Sequence, residues 1–444
     1  MSEPIDAFKN AFRIPELKKR ILFTLFMLAI YALGRHVPAP GVNGAALANM
    51  MSRGGSLINF YDIFSGGAFS QATVFALGIM PYITASIILS LLVPVIPQLE
   101  QLQKQGQEGQ KKITEYTRYG TIVLCIIQAA GTSFYLQGLG KDIVPNPGMG
   151  FVLLCIMTFT TGTAFIMWLG EQISENGVGN GMSIIIFTSI ISRVPLALSK
   201  LFTMVFKTGQ IDMFRAMILI FLLVAVIAGC IMVTTGQRRI PVQYPRQVKG
   251  RRVSGGQRTY LPLRVNQAGV IPIIFSSSLL QLPWTIGQAI NIPFVEKWIT
   301  YLFDPMNLPY AIIDVTLIIF FSFFYTAIVF NPVETADNMK KYGGVIIGVR
   351  PGKATADYLN RIMTRITMTG SVFLALVALM PTLVFLILKV QDYTIVQFFG
   401  GTSLLILVGV ALDTTKQIEQ HLIMRHYDGF GGLSGGRLRS RRKL

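Results

Sequence analysis

The 444-residue chain carries little charge. Only 14% of its residues are Asp, Glu, Lys or Arg, against about 25% in soluble domains. So few charges cannot coat a water-soluble globule, which argues against a soluble enzyme. Histidine is scarce: His36, His421 and His426 are the whole supply, and none is central in an apolar run. Cysteine is equally scarce. Cys125, Cys155 and Cys230 are odd in number and lie in apolar stretches, so they form no disulfide framework and read as small buried hydrophobes. There is no HExxH, no phosphate-loop lysine motif and no cysteine pair at metal-ligand spacing. Neither catalysis, nor a cofactor, nor a metal is expected. Residues 1–20 mix Glu3, Asp6 and Glu16 with Lys9, Arg13, Lys18, Lys19 and Arg20. They resemble an amphipathic surface segment more than a cleaved leader.

What the chain does have is apolar length. Its composition is 52% hydrophobic and its mean hydropathy is +0.55. The apolar residues sort into blocks of about 20, the length that crosses a bilayer as a helix. Ten such spans are expected, at 21–38, 73–97, 119–139, 151–170, 182–204, 213–235, 267–288, 309–330, 368–389 and 398–418. Glycine and proline recur inside them, at Gly78, Pro81, Pro272 and Pro381, which membrane helices tolerate when neighbours re-satisfy the backbone.

Positive charge orients the spans. Of 39 Lys and Arg, 30 fall in segments 1–20, 98–118, 236–266, 331–367 and 414–444. An even span number places these segments and both termini on one face, and the positive-inside rule makes that face cytoplasmic. Segment 171–181 disobeys, with Glu171 and Glu175 and no base. Dividing the chain near 210 gives two sets of five spans, residues 1–209 and 210–420, followed by a basic tail at 421–444. An odd number per half makes the second half run opposite to the first, as in an inverted repeat with a cavity at the interface.

Charge is absent from the span centres. Arg35, Arg193, Lys200, Arg215, Asp314, Lys389, Asp413 and Lys416 fall near expected span ends or where the span boundaries are loosely defined. A proton-coupled transporter needs ionisable groups midway, so this reading is disfavoured. Residues 57–69, LINFYDIFSGGAF, are apolar but too short to span. They form either an interfacial loop or a re-entrant element buried against other helices. GNGMS at 179–183 reads as a helix entry, with Asn180 or Ser183 as cap.

Isoleucine spacing leaves two readings open. Ile83 and Ile87 share a helix face, as do Ile186 and Ile190, while Ile274 and Ile406 sit in further spans. They either pack helices or form an apolar constriction that sheds water. Segment 236–266 holds eight bases and no acid, including Arg238, Arg239, Arg246, Arg251 and Arg252. Partial alternation on each side of KGRRVSGGQ predicts a protruding hairpin. Eight like charges repel, which implies a neutralising partner, an RNA surface or an acidic protein. The tail GRLRSRRKL would assist.

Taken together, FYDIFSGGAF, FALGIMPYITASII, EQISENGVGNGMSIIIF, RRIPVQYPRQ, YLPLRVNQAGVIPIIFSSSLL, NPVETADNMKKYGG, GVRPG and FGGTSLLI are specific. The chain resembles the SecY/Sec61 alpha family, the pore-forming subunits of protein translocases, over essentially its whole length. The resemblance implies an all-α polytopic fold of ten spans in two inverted halves around an hourglass pore, with no enzyme activity. It implies a pore ring at Ile83, Ile87, Ile186, Ile190, Ile274 and Ile406. It implies a plug near 57–70 containing Phe60, Asp62, Ile63, Phe64, Gly66 and Gly67. A lateral gate is implied between the second and seventh spans, involving Ile87, Asn266 and Gln267. Docking of the motor SecA and of the ribosome with its rRNA is implied at Arg238, Arg239, Arg246, Arg251, Arg252 and Arg350. SecE and SecG are the implied small partners, with YidC, SecDF, signal peptides, nascent membrane proteins and anionic lipids as further ones. The bacterial inner membrane is the implied location. The competing readings are an inverted-repeat transporter or lipid flippase, which would use polar groups such as Thr158, Thr160, Thr161 and Thr163, and a membrane scaffold without a pore.

Overall fold

The computed structural model describes residues 14–53, 62, 65–244, 247–249, 252–254, 258–267, 269–289, 301–303, 307–388, 395–396 and 401–432. The chain is a helical bundle with a small sheet at one end. Its N-terminal part contains α1 (Pro15–Gly34), α2 (Gly44–Arg53), α3 (Met80–Leu92), α4 (Pro97–Lys104), α5 (Gln107–Gly138), α6 (Met149–Asn176), α7 (Gly181–Ile191) and α8 (Val194–Phe206). After α9 (Met213–Thr235) come strands β1 (Gln237–Gln243), β2 (Gln247–Lys249), β3 (Arg252–Ser254) and β4 (Arg258–Arg264). Helices α10 (Ile271–Ala289), α11 (Leu308–Val329) and α12 (Pro332–Lys341), strand β5 (Val345–Ile346), and helices α13 (Lys353–Leu388) and α14 (Thr402–Gly432) complete it.

Among the described residues six helical segments are long and apolar enough to cross a membrane, or seven when the bent pair α3–α4 counts as one. The chain is therefore an all-α polytopic membrane protein. Proline opens several helices, at Pro15, Pro81, Pro97, Pro195, Pro309 and Pro332, where its missing amide costs nothing. At the entry to α7 the Asn180 side chain accepts from the amides of Met182 and Ser183 at 3.1 and 3.3 Å. Of the two residues expected to cap this helix, Asn180 does so. All three cysteines are buried and free.

Two expected spans are interrupted. The stretch 73–97 is turn until Ile79; the helix then runs from Met80 to Leu92 and bends by 98° into α4. Pro94 and Pro97 lie at the bend and cannot donate to the preceding turn. The stretch 182–204 breaks at Ser192–Arg193 between α7 and α8. Pro195 has no amide to offer the carbonyl one turn back, which ends the ladder there.

The expected basic hairpin is present. β1 and β4 pair antiparallel with Ile240 opposite Leu261, and β5 adds to the other edge of β1 with Val242 opposite Ile346. The three-stranded order is β4-β1-β5, and β2 and β3 make a separate ribbon. Ile240 and Val242 alternate with exposed neighbours, as strand geometry requires. They pack with Met339 of α12 and with Leu359, Ile362 and Met363 of α13. Segments 236–266 and 331–367 thus form one packed unit.

Candidate functional site

Six isoleucines from four helices converge. Ile83 and Ile87 come from α3, Ile186 and Ile190 from α7, Ile274 from α10 and Ile406 from α14. Five are buried in a single apolar cluster, and half-buried Ile274 packs against it. The cluster also takes Met27 and Tyr31 of α1, Ile166 of α6, Phe275 of α10 and Phe321 of α11. Its residues come from both sides of the 209/210 division.

Two adjoining cavities open beside this cluster. One, of about 420 Å³, is lined by Ile83, Ile186 and Ile274 together with Arg118, Glu171 and Glu175. The second, of about 440 Å³, is lined by Arg264, Asn266, Gln267, Asp413 and Lys416. They share Asn180, Ser183, Ile271 and Tyr325 as wall. Polar groups in the lining favour water, and branched aliphatics beside them disfavour it.

Of the expected gate residues, Asn266 and Gln267 line the second cavity, while Ile87 lines neither. α3 packs against α10, and so does α5. Asn266 is buried and donates to the Gly269 carbonyl at 2.9 Å, which shapes the entry to α10. Gln267 faces the second cavity, and its Oε1 has no partner among the described residues. Ile87 belongs to the isoleucine cluster.

Of the expected plug residues, Phe60, Ile63 and Phe64 lie outside the described residues. Asp62 is buried and forms an ion pair with Arg193. The Gly66 carbonyl accepts from Arg35, Gly67 follows in the same turn, and Ala68 joins the isoleucine cluster. Of 57–69, the described residues Asp62, Ser65, Gly66, Ala68 and Phe69 are buried and Gly67 is half-buried.

Among the expected docking residues, Arg238 and Arg239 are exposed on β1, and Arg252 is on β3. Arg246 and Arg251 lie outside the described residues. Arg350 is exposed in the turn after β5, where its carbonyl accepts from Thr355 Oγ at 2.8 Å. Pairing of β5 with β1 brings its loop beside the basic hairpin.

Three features escaped the sequence reading. Arg118 donates to Glu171 at 2.7 Å, so one acid of the exceptional 171–181 segment is neutralised by the neighbouring helix. Arg35 and Arg193 contact the 62–70 region. Asp314 lies inside α11, buried, and accepts from Ser276 of α10 at 2.5 Å. Its sequence position near a span end gave no sign of that burial. Thr158, a candidate transporter group, bonds its own helix at the Leu154 carbonyl, 2.7 Å away. No group of three or more His, Cys, Asp or Glu suited to a metal occurs among the described residues.

The SecY family profile matches residues 73–415. The protein translocase subunit SecY of Aquifex aeolicus is 44% identical over 431 residues, covering 96% of this chain and 99% of that protein. The Streptomyces griseus subunit is 47% identical with the same coverages, and that of Thermotoga maritima is 42% identical over 98% of this chain and 100% of its own length. A solved protein-conducting channel superposes with a TM-score of 0.65 at 18% identity, covering 92% of this chain and 96% of that one. Sec61 from a canine ribosome–channel complex superposes at 0.62 with 17% identity and the same coverages. Those likenesses show the fold, and the bacterial relatives show the lineage: the chain belongs to the SecY family.

Proposed function

We propose that the isoleucine cluster is the closed constriction of a passage through which unfolded polypeptides cross the bacterial inner membrane. As a SecY-family member the chain is a protein-conducting channel, not an enzyme. The observation that carries the constriction is the meeting of Ile83, Ile87, Ile186, Ile190, Ile274 and Ile406, from both parts of the chain, in one apolar cluster, with Ile83, Ile186 and Ile274 also lining a cavity that has charged residues in its wall. An aliphatic collar seals against ions by dewetting and presents no charge to trap a passing chain.

In this reading ten spans form two inverted halves, 1–209 and 210–420, and the basic face with both termini and the 421–444 tail is cytoplasmic. Segment 57–70 blocks the passage at rest. The seam between α3 and α10, with Ile87, Asn266 and Gln267 at it, opens sideways to lipid. A segment of about 20 apolar residues then partitions outward, because aliphatics gain and charges lose there. The hairpin arginines and Arg350 receive SecA or the ribosome. SecE, SecG, YidC and SecDF are membrane partners, signal peptides and nascent membrane proteins are the cargo, and anionic lipids neutralise the remaining basic charge. The transporter and flippase readings have no support from the relatives, all of which are translocase subunits among those compared above.

The test is crosslinking of a stalled secretory chain to single cysteines at the six isoleucine positions. Adducts at all six, and none at lipid-facing Met157 or Phe221, are expected. Absence of adducts at the six in a translocating complex would remove the constriction.

A further inference from the structure

Arg35 and Arg193 run against the charge asymmetry of the chain, since they lie at the ends of α1 and α7 away from the basic loops. Both are directed at one short stretch. The Arg193 guanidinium pairs with the buried Asp62 carboxylate, and its Nη2 lies 3.4 Å from the Asp62 carbonyl oxygen. The other carboxylate oxygen accepts from the Ser70 amide at 2.8 Å. Arg35 donates through one nitrogen to the Gly66 carbonyl and through the other to Ser192 Oγ at 3.0 Å. Its cation sits 5.9 Å from the centre of the Tyr31 ring, and the Tyr31 hydroxyl is 2.7 Å from Ser189 Oγ. Two arginines on different helices therefore clamp one turn, tied to each other through Ser192 and the α7 end.

The turn is cut to fit them. Gly66 and Gly67 have φ of 66° and 99°, values that side chains strain to adopt. A Cβ on Gly66 would lie 2.9 Å from Arg35 Cζ and 3.0 Å from Ser189 Cα. On Gly67 it would lie 3.0 Å from Arg193 Nη2. Glycine stands where the guanidinium groups leave no room for a side chain. The placement of Arg35 and Arg193, exceptional for topology, has a local purpose.

We propose that Arg35 and Arg193 are a polar latch that holds Asp62 and the turn 65–70 in the closed position, so that the resting seal of this channel depends on an ion pair as well as on apolar contact. Both are positioning residues: neither touches the translocating chain while the latch is shut. Moving the turn away separates Asp62 from Arg193, and a buried charge without its partner is strongly unfavourable. The latch rests on the reading that segment 57–70 blocks the passage.

The experiment is ion conductance of the full-length channel, assembled with its membrane partners, in planar bilayers. Arg193→Gln and Asp62→Asn each raise resting leak by roughly tenfold or more, since each strands one charge. The double variant leaks less than either single one, because neither charge is then left unpaired. Arg193→Lys restores a low leak. As a second readout, Ser65→Cys is labelled faster by a membrane-impermeant maleimide in the single variants than in the Arg193→Lys background. Additive leak in the double variant would assign the effect to lost packing and overturn the latch. Silent single variants beside a leaky deletion of 57–70 would overturn the latch alone; a silent deletion would overturn the blocking reading and the latch with it.

Discussion

Replacing Ile83, Ile87 and Ile274 together with serine removes about three carbons from each of three side chains that meet at the constriction. At about 0.8 kcal/mol per CH2, the apolar wall loses at most roughly 7 kcal/mol of its preference for being dry. Part of each side chain faces protein instead of the passage, so only a fraction of this acts on water. A fifth of it, about 1.4 kcal/mol, already raises the wetted population about tenfold. Resting conductance in planar bilayers should therefore rise at least about tenfold. The matched control is the triple valine variant. It costs about 0.5–1.5 kcal/mol of packing per site but keeps the wall apolar, so its leak should stay near that of the parent. Equal leak from the serine and valine variants would mean that packing, not wall chemistry, makes the seal. A folded serine variant with unchanged conductance would place these side chains away from the passage.

Three further outcomes are expected. Arg350→Glu should lower ATP-driven transport severalfold while leaving membrane insertion and yield unchanged, as read by translocation of a labelled precursor; full transport would release Arg350 from docking. Ser276→Ala should strand the Asp314 carboxyl and cost about 1–3 kcal/mol, whereas Ser276→Ala combined with Asp314→Leu should recover most of the loss in thermal unfolding of the detergent-solubilised complex; equal destabilisation would deny the pair any part in joining α10 to α11. Asn180→Ala should cost about 1 kcal/mol through loss of the α7 cap, and Asn180→Ser should restore it; no change in melting temperature for the alanine variant would make the cap dispensable.

The helical plan was legible because lipid demands long apolar runs. The hairpin was legible because Ile240 and Val242 sit two apart between Arg239 and Gln243 and the turn region is glycine-rich. The Asn180 cap could be read from four residues. The breaks at 93–96 and 192–193 were less so: hydropathy is continuous across them, and only Pro94, Pro97 and Pro195 hint at the lost hydrogen bonds. The isoleucines looked ordinary one helix at a time. Their meaning lies in a convergence of four elements, and no local spacing encodes that. The Asp62–Arg193 pair joins residues 131 positions apart, and Asp314 meets Ser276 across 38. Sequence could register Arg35 and Arg193 only as exceptions to a charge rule, which in retrospect was the available clue.

The joining of the hairpin to α13 has a mechanical consequence. From Lys353 to Met380 that helix has no internal proline, a rod of about 42 Å at 1.5 Å per residue. Its first turns are cemented to Ile240, Val242 and Leu263 of the sheet, while its later turns pack with α9 and α14. A thrust against the sheet is thus conveyed along a stiff strut to the bundle's interior, and α14 carries Ile406. Whatever pushes on the sheet has leverage on the isoleucine cluster without touching it.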